Sequence, residues 1–218
     1  LGEYASWGVA VSLSIGDVAK LLRQRGDAMQ KAVPLGTGAM AAILGGNQTQ
    51  IDTIVMASQK EGLVEIANDN APGQIVVSGD VNAVDKAIDE AKAVGLRRVI
   101  KLPVSAPFHC RLMEPAAEVM QKALAATNVK DAAMPVFCNV TAAPETVADK
   151  LRANLVEQIT ARVRWRETLL AMEAAGCQLY IELGTGKVLS GLVKRSLDAV
   201  TIVNLDGPAD LDGVLAKL

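Results

Sequence analysis

Between residues 38 and 104 the chain alternates short apolar runs with stretches of helical period. Residues 39–44 (AMAAIL) read as a buried strand. Asn47 then caps a helix that carries Ile51, Ile54 and Val55 on one face and ends at Gly62. Residues 63–67 and 74–78 read as two further strands, joined by the turn-rich Asn68-Asp69-Asn70-Ala71-Pro72-Gly73. Asp80 caps the next helix, whose buried stripe is Val81, Val84, Ile88 and Ala91; Gly95 closes it and residues 97–102 form the last strand. Strand-helix-strand-strand-helix-strand is the split βαβ order of a ferredoxin-like unit.

The flanks keep longer periods. Residues 5–11 are small and apolar, suited to a helix packed close to a sheet. A second helix follows, with Asp17 as its N-cap, Val18, Leu21, Leu22 and Met29 at helical spacing, and a break at Pro34 and Gly36. Beyond His109, Pro115 stands at a first helical position, residues 135–140 read as a buried strand, and Val147, Leu151, Leu155 and Ile159 share a helix face. A helix with Leu169 and Met172 ends near Gly176. Residues 179–183 form a strand, 187–197 a helix and 200–205 a strand, and 210–218 closes the chain. Such alternation predicts an α/β unit with a mostly parallel sheet. The predicted organisation is a large α/β unit, residues 1–36 and 104–218, interrupted by the ferredoxin-like unit at 37–103.

Composition narrows the function classes. At 50% hydrophobic and 21% charged, the 218 residues can bury a sizeable core. A net charge of −2 with 3% aromatic residues argues against a nucleic-acid surface. No run of about eighteen uncharged apolar residues indicates a membrane span. Cys110, Cys138 and Cys177 are far apart and never form a CxxC pair, which disfavours a disulfide framework and a zinc site and suits a reducing, cytoplasmic setting.

Candidate chemistry gathers at Val104-Ser105-Ala106-Pro107-Phe108-His109-Cys110, which holds the sole histidine of the 218 residues. An imidazole ending an apolar run, two residues after a proline, suits a general base; a lone structural histidine suits the same pattern. Cys110 reads as a buried thiol, since neighbours on an extended backbone point to opposite sides. Arg25 reads as a solvated or ion-paired surface group and Trp165 as core. Gly184-Thr185-Gly186-Lys187 follows a strand and opens a helix, but Ile181 and Val188 stand where a P-loop needs glycine and Ser/Thr, so a tight turn is the better reading. No serine lies in a GxSxG elbow, and one histidine excludes HExxH metal sites, so no metal is expected.

Further motifs give the chain a family likeness. Leu1-Gly2-Glu3-Tyr4 resembles the end of a GHSLGE nucleophile elbow, Arg25-Gly26-Asp27-Ala28-Met29-Gln30 an RGxxMQ helix, and residues 33–40 a VPxGTGAM segment. Residues 68–74 resemble NxNxPGQ, 104–109 VSxPxH, and 182–189 E(L/V)GPGKVL with Thr185 in place of proline. Together they resemble the malonyl-CoA:acyl carrier protein transacylases of fatty-acid synthesis, across the whole chain. The resemblance implies a hydrolase-like α/β domain with a ferredoxin-like insert, and ping-pong transfer of malonyl from coenzyme A to the phosphopantetheine thiol of acyl carrier protein. It implies no bound cofactor, the coenzyme A and phosphopantetheine thioesters being substrates.

It further implies His109 as the base, oriented by the Gln158 backbone carbonyl; Leu1 as an oxyanion N–H; Arg25 as the malonyl carboxylate clamp; Phe108 beside the malonyl α-carbon; and Asn70 along the pantetheine path. The nucleophilic serine falls immediately before Leu1, in an N-terminal segment expected as a partner to these residues. A non-catalytic fragment or scaffold, and a serine thioesterase of similar fold, are the rival expectations; a carboxylate clamp at Arg25 disfavours the thioesterase.

Overall fold

The computed structural model describes residues 1–217, so the last residue of the predicted closing segment, Leu218, lies outside the described residues. In chain order, α1 (Gly2–Val9) and α2 (Ile15–Lys31) lead into β1 (Gly38–Leu44), α3 (Gln48–Ser58), β2 (Val64–Ala71), β3 (Gln74–Asp80), α4 (Val81–Ala93) and β4 (Arg98–Lys101). Then come α5 (Glu114–Ala125), β5 (Val136–Cys138), β6 (Ala143–Glu145), α6 (Ala148–Glu157), α7 (Trp165–Ala174), β7 (Leu179–Leu183), α8 (Val188–Ser196), β8 (Thr201–Leu205) and α9 (Leu211–Leu215).

β1 to β4 form one sheet in the order β2-β3-β1-β4, every neighbour antiparallel. β3 therefore lies between the two strands that α3 connects, which is the split βαβ arrangement the residue pattern predicts. Alternation along β1 sends Ala39, Ala41 and Ile43 into a core with Ile51, Ile54, Val84 and Ala87 of α3 and α4. Met40 faces the other way, where Ala67, Val76 and the half-buried Phe108 meet it.

A second core joins Tyr4, Trp7, Leu21 and Met29 of the first two helices to Met120, Leu124, Val136, Leu151, Leu155 and Ile159. Parallel pairing is carried by β7 and β8, in register from Leu179↔Thr201 to Leu183↔Leu205, over a third cluster of Leu169, Val193 and Leu197. Trp165 packs against that cluster, as expected of a core residue. Among the described residues no helix is long and apolar enough to cross a membrane.

Some local expectations give way. Ser14, not Asp17, caps α2: its Oγ accepts the Asp17 N–H at 3.0 Å, and its hydroxyl donates back to Asp17 Oδ2 at 2.6 Å. A hydroxyl one turn earlier satisfies the free N–H and leaves the acid at the positive end of the helix. Asp80 heads α4, but its carboxylate accepts the Leu63 N–H at 2.7 Å instead of capping. Asn68, Asp69 and Asn70 belong to β2, not to a loop. The strand runs on through two register shifts because it gains a partner on its outer side, Val163, and only Pro72 and Gly73 remain to turn. The ribbon strand β6, paired with β5, has no apolar run to announce it.

Candidate active site

The 104–110 stretch is pinned before it reaches the histidine. Ser105 donates to Gln30 Oε1 on α2 at 2.9 Å. The Pro107 ring lies against Gly38, where an added Cβ would stand 2.4 Å from it, so this approach requires a residue without a side chain. His109 itself adopts a left-handed backbone, φ 59°, an outlier for a non-glycine residue. That conformation puts ring Nδ1 at 3.2 Å from the Gln158 carbonyl and 3.2 Å from the Ala161 carbonyl. Two carbonyl acceptors assign the proton to Nδ1 and leave the Nε2 lone pair free to take another.

Burial lowers the imidazole pKa to about 4, and the positive charge of Arg25 adds to the effect; the two carbonyls pull the other way. His109 is thus a neutral base at pH 7. Cys110 beside it is fully buried, and its thiol donates to the Pro107 carbonyl at 3.1 Å. It is the structural thiol expected, but for a different reason: the left-handed His109 redirects the chain, and burial raises the thiol pKa.

Arg25 corrects the bare reading of a solvated or ion-paired arginine. It is only 8% exposed, and among the described residues it has no acidic partner and its Nε has no hydrogen bond. Burial lowers its pKa, while Tyr4 and Glu3 nearby partly restore it. A buried guanidinium with spare donors has the chemistry to bind a carboxylate in a bidentate pair. Leu1 stands at the N-cap of α1, 76% exposed, its carbonyl accepting the Ala5 N–H at 3.2 Å. The Leu1 nitrogen lies close to both Arg25 and His109. Phe108 wedges between the large core and the outer face of the four-stranded sheet.

Asn70 is half-buried near the end of β2, and its side chain makes no hydrogen bond among the described residues. His109, Arg25, Leu1 and the Gln158 carbonyl are therefore brought together, while Asn70 stands apart from their network. Sequence reasoning missed the second carbonyl, from Ala161, because backbone acceptors leave no residue signature. The Gly184–Lys187 turn is the tight bend expected, with Gly184 and Gly186 at φ 108° and 95°. The α8 start is occupied by Glu182, which accepts the Leu189 and Ser190 N–H groups at 3.0 and 2.8 Å, leaving no room there for a phosphate.

Residues 1–206 match the model of the acyl transferase domain family. The malonyl CoA-acyl carrier protein transacylase of Bacillus subtilis (strain 168) is 42% identical over the whole of this chain and 69% of its own length. The crystal structure of acyl-carrier-protein-S-malonyltransferase from Bartonella henselae superposes with a TM-score of 0.96 at 41% identity, covering 99% of this chain and 69% of that one. A solved complex of a type II PKS acyl-carrier protein with its malonyl-transacylase gives 0.96 at 35% identity, covering 99% and 70%. This chain thus spans about 70% of the length of its relatives. By these matches, the chain belongs to the acyl transferase domain family, among the malonyl CoA-acyl carrier protein transacylases.

Proposed function

We propose that these residues form the acceptor-activating half of a malonyl transfer site that moves the malonyl group from coenzyme A to the phosphopantetheine thiol of acyl carrier protein. The observation that carries this reading is the juxtaposition of a buried guanidinium, Arg25, which forms no salt bridge among the described residues, with a neutral imidazole, His109, held by two backbone carbonyls.

In this reading the serine that the family pattern puts before Leu1 attacks the malonyl thioester while His109 Nε2 takes its proton. The thioester C–S bond breaks, an ester forms, and His109 returns the proton to the departing coenzyme A thiolate. The carrier thiol then attacks the ester by the reverse path. The Leu1 N–H donates to the oxyanion of each tetrahedral intermediate. Carbonyls at Gln158 and Ala161 do what a carboxylate does in other triads: they fix the tautomer and steady the imidazolium, without adding a full charge. Arg25 donates two N–H bonds to the free malonyl carboxylate in a bidentate pair that lysine cannot reproduce. Phe108 narrows the space at the malonyl α-carbon, and Asn70 lies along the pantetheine approach.

Acyl exchange between thioester and ester needs no metal and no redox cofactor. A reducing, cytoplasmic setting belongs to the same reading, with all three cysteines free. Intact-mass measurement of the full-length protein mixed with malonyl-CoA tests it. A malonyl adduct that acyl carrier protein discharges is expected, together with loss of the adduct in His109→Ala; an unchanged acylation rate in that variant removes the base assignment.

A further inference from the structure

The two carbonyls that hold His109 belong to residues 158–164 between α6 and α7, whose first part is tied to the helix end: the Gln158 N–H donates to the Asn154 carbonyl at 3.0 Å and the Ala161 N–H to the Glu157 carbonyl at 3.1 Å. The far part of this stretch, residues 162–164, is gripped from both sides. On one side β2 pairs with it: the Val163 N–H donates to the Ala67 carbonyl at 2.7 Å, and the Asp69 N–H donates to the Val163 carbonyl at 2.8 Å. On the other side stands Asn139, the first residue after β5. Its Nδ2 donates to the Arg162 carbonyl at 2.9 Å and its Oδ1 accepts the Arg164 N–H at 2.9 Å.

Successive peptide groups of an extended chain point to opposite sides. Here Val163 presents its polar groups to β2, and the flanking carbonyl and amide point to Asn139, whose planar side chain takes the place of a neighbouring strand. Only Asn and Gln offer a donor and an acceptor in one planar amide, and Gln is a methylene longer. Asn139 is also tied backwards: its backbone N–H donates to Glu3 Oε2 at 3.1 Å, on the helix that follows Leu1. One residue thus connects the start of α1 to the backbone that leads to the imidazole's acceptors; the Arg164 side chain adds a bond from Nη1 to the Val140 carbonyl, but the Arg162 carbonyl and the Arg164 N–H are both held by Asn139.

We propose that Asn139 is a positioning residue for His109, its side-chain amide holding residues 162–164 so that the Gln158 and Ala161 carbonyls keep the proton on Nδ1. The inference rests on the proposed function only in taking His109 as the base; the hold on the ring is independent of it.

Asn139→Asp in the full-length protein is the test. The change is isosteric, keeps the acceptor for the Arg164 N–H, and replaces the donor to the Arg162 carbonyl by an oxygen that repels it. Histidine labelled with ¹⁵N reports the tautomer, the His109 signal being assigned by its loss in His109→Ala. The parent protein is expected to show the Nδ1–H tautomer alone, and the variant a mixture of both.

Serine malonylation is expected to slow by about ten- to a hundredfold, with KM for malonyl-CoA within about twofold. The acid limb of its pH profile is expected to fall below the parent's, because the two carbonyls hold the imidazole pKa up against burial and Arg25. Arg25, the charged side chain that acts on the ring from α2, is unchanged in the variant, and the added carboxylate alone would raise the limb, so a fall reads the loss of the carbonyls. Asn139→Ser, which removes both side-chain bonds, provides the same readings if the aspartate variant fails to fold. A folded variant with the parent's tautomer and acid limb overturns the proposal whatever its activity. Normal acylation by His109→Ala overturns the base assignment instead, and leaves the tautomer comparison to judge Asn139.

Discussion

A left-handed backbone at a non-glycine residue costs on the order of 1 kcal/mol, and His109 sustains one at φ 59° while its ring is half-buried. The fold further holds its pKa at about 4, well below the unfolded value of about 6.5. The sign follows: between those values the unfolded chain binds the extra proton, so stability is full above pH 6.5 and is lost as pH falls toward 4. Urea unfolding at pH 7 and pH 4 should show the parent losing on the order of 2 kcal/mol more than His109→Gln, after allowance for the solvent that reaches the ring. An equal loss in both proteins contradicts the buried, neutral imidazole.

The sequence exposed the imidazole because a sole histidine after a proline is conspicuous. It hid the rest of the site, since Gln158 and Ala161 act through backbone atoms that any residue carries. Arg25 was equally opaque bottom-up: Gln24 and Gly26 beside it look like a surface, and its burial comes from packing that the helical period alone does not reveal. Asn139 lies within residues 135–140, which read as a buried strand, and nothing in that run marks it; the strand itself ends at Cys138.

Among the elements, the four-stranded sheet was readable because its rhythm is local, each strand and helix being announced within its own few residues. Its departures come from distant contacts. β2 outruns its apolar run because Val163 pairs with its far edge, and Asp80 abandons a capping role because the Leu63 N–H needs an acceptor. The latter turn explains Gly79, where an added Cβ would stand 2.0 Å from the Leu63 carbonyl oxygen and 2.8 Å from Val64 Cα. These are backbone atoms of the neighbouring strand and cannot yield cheaply, so Gly79→Ala should destabilise by about 3 kcal/mol or more in chemical denaturation. A loss under about 1 kcal/mol would mean that β2 and β3 can separate without cost.

At the scale of the molecule, the four-stranded sheet meets the stretch that carries the Gln158 and Ala161 carbonyls along one seam. There β2 pairs with Val163, and Arg166 at the start of α7 binds Asp69 through Nε at 3.0 and 3.1 Å and Nη2 at 2.7 Å. Asp69 is almost fully buried and Arg166 about one-third exposed. Asp69→Asn should therefore cost about 2–3 kcal/mol, below the range of a fully buried pair, read as a lower urea midpoint. A shift within error would show the pair to be ornamental. Seams of this kind, between residues nearly a hundred positions apart, are invisible to local periodicity; the alternating elements they join are not.

The central claim is that Arg25 selects the malonyl group by its free carboxylate. The direct measurement is the ratio of malonyl to acetyl transfer onto acyl carrier protein, by full-length parent and Arg25→Ala proteins. Loss of a charged bidentate pair should lower malonyl transfer by about a hundredfold or more, while acetyl transfer holds or rises, so the ratio collapses. Equal loss with both acyl groups would contradict the carboxylate clamp.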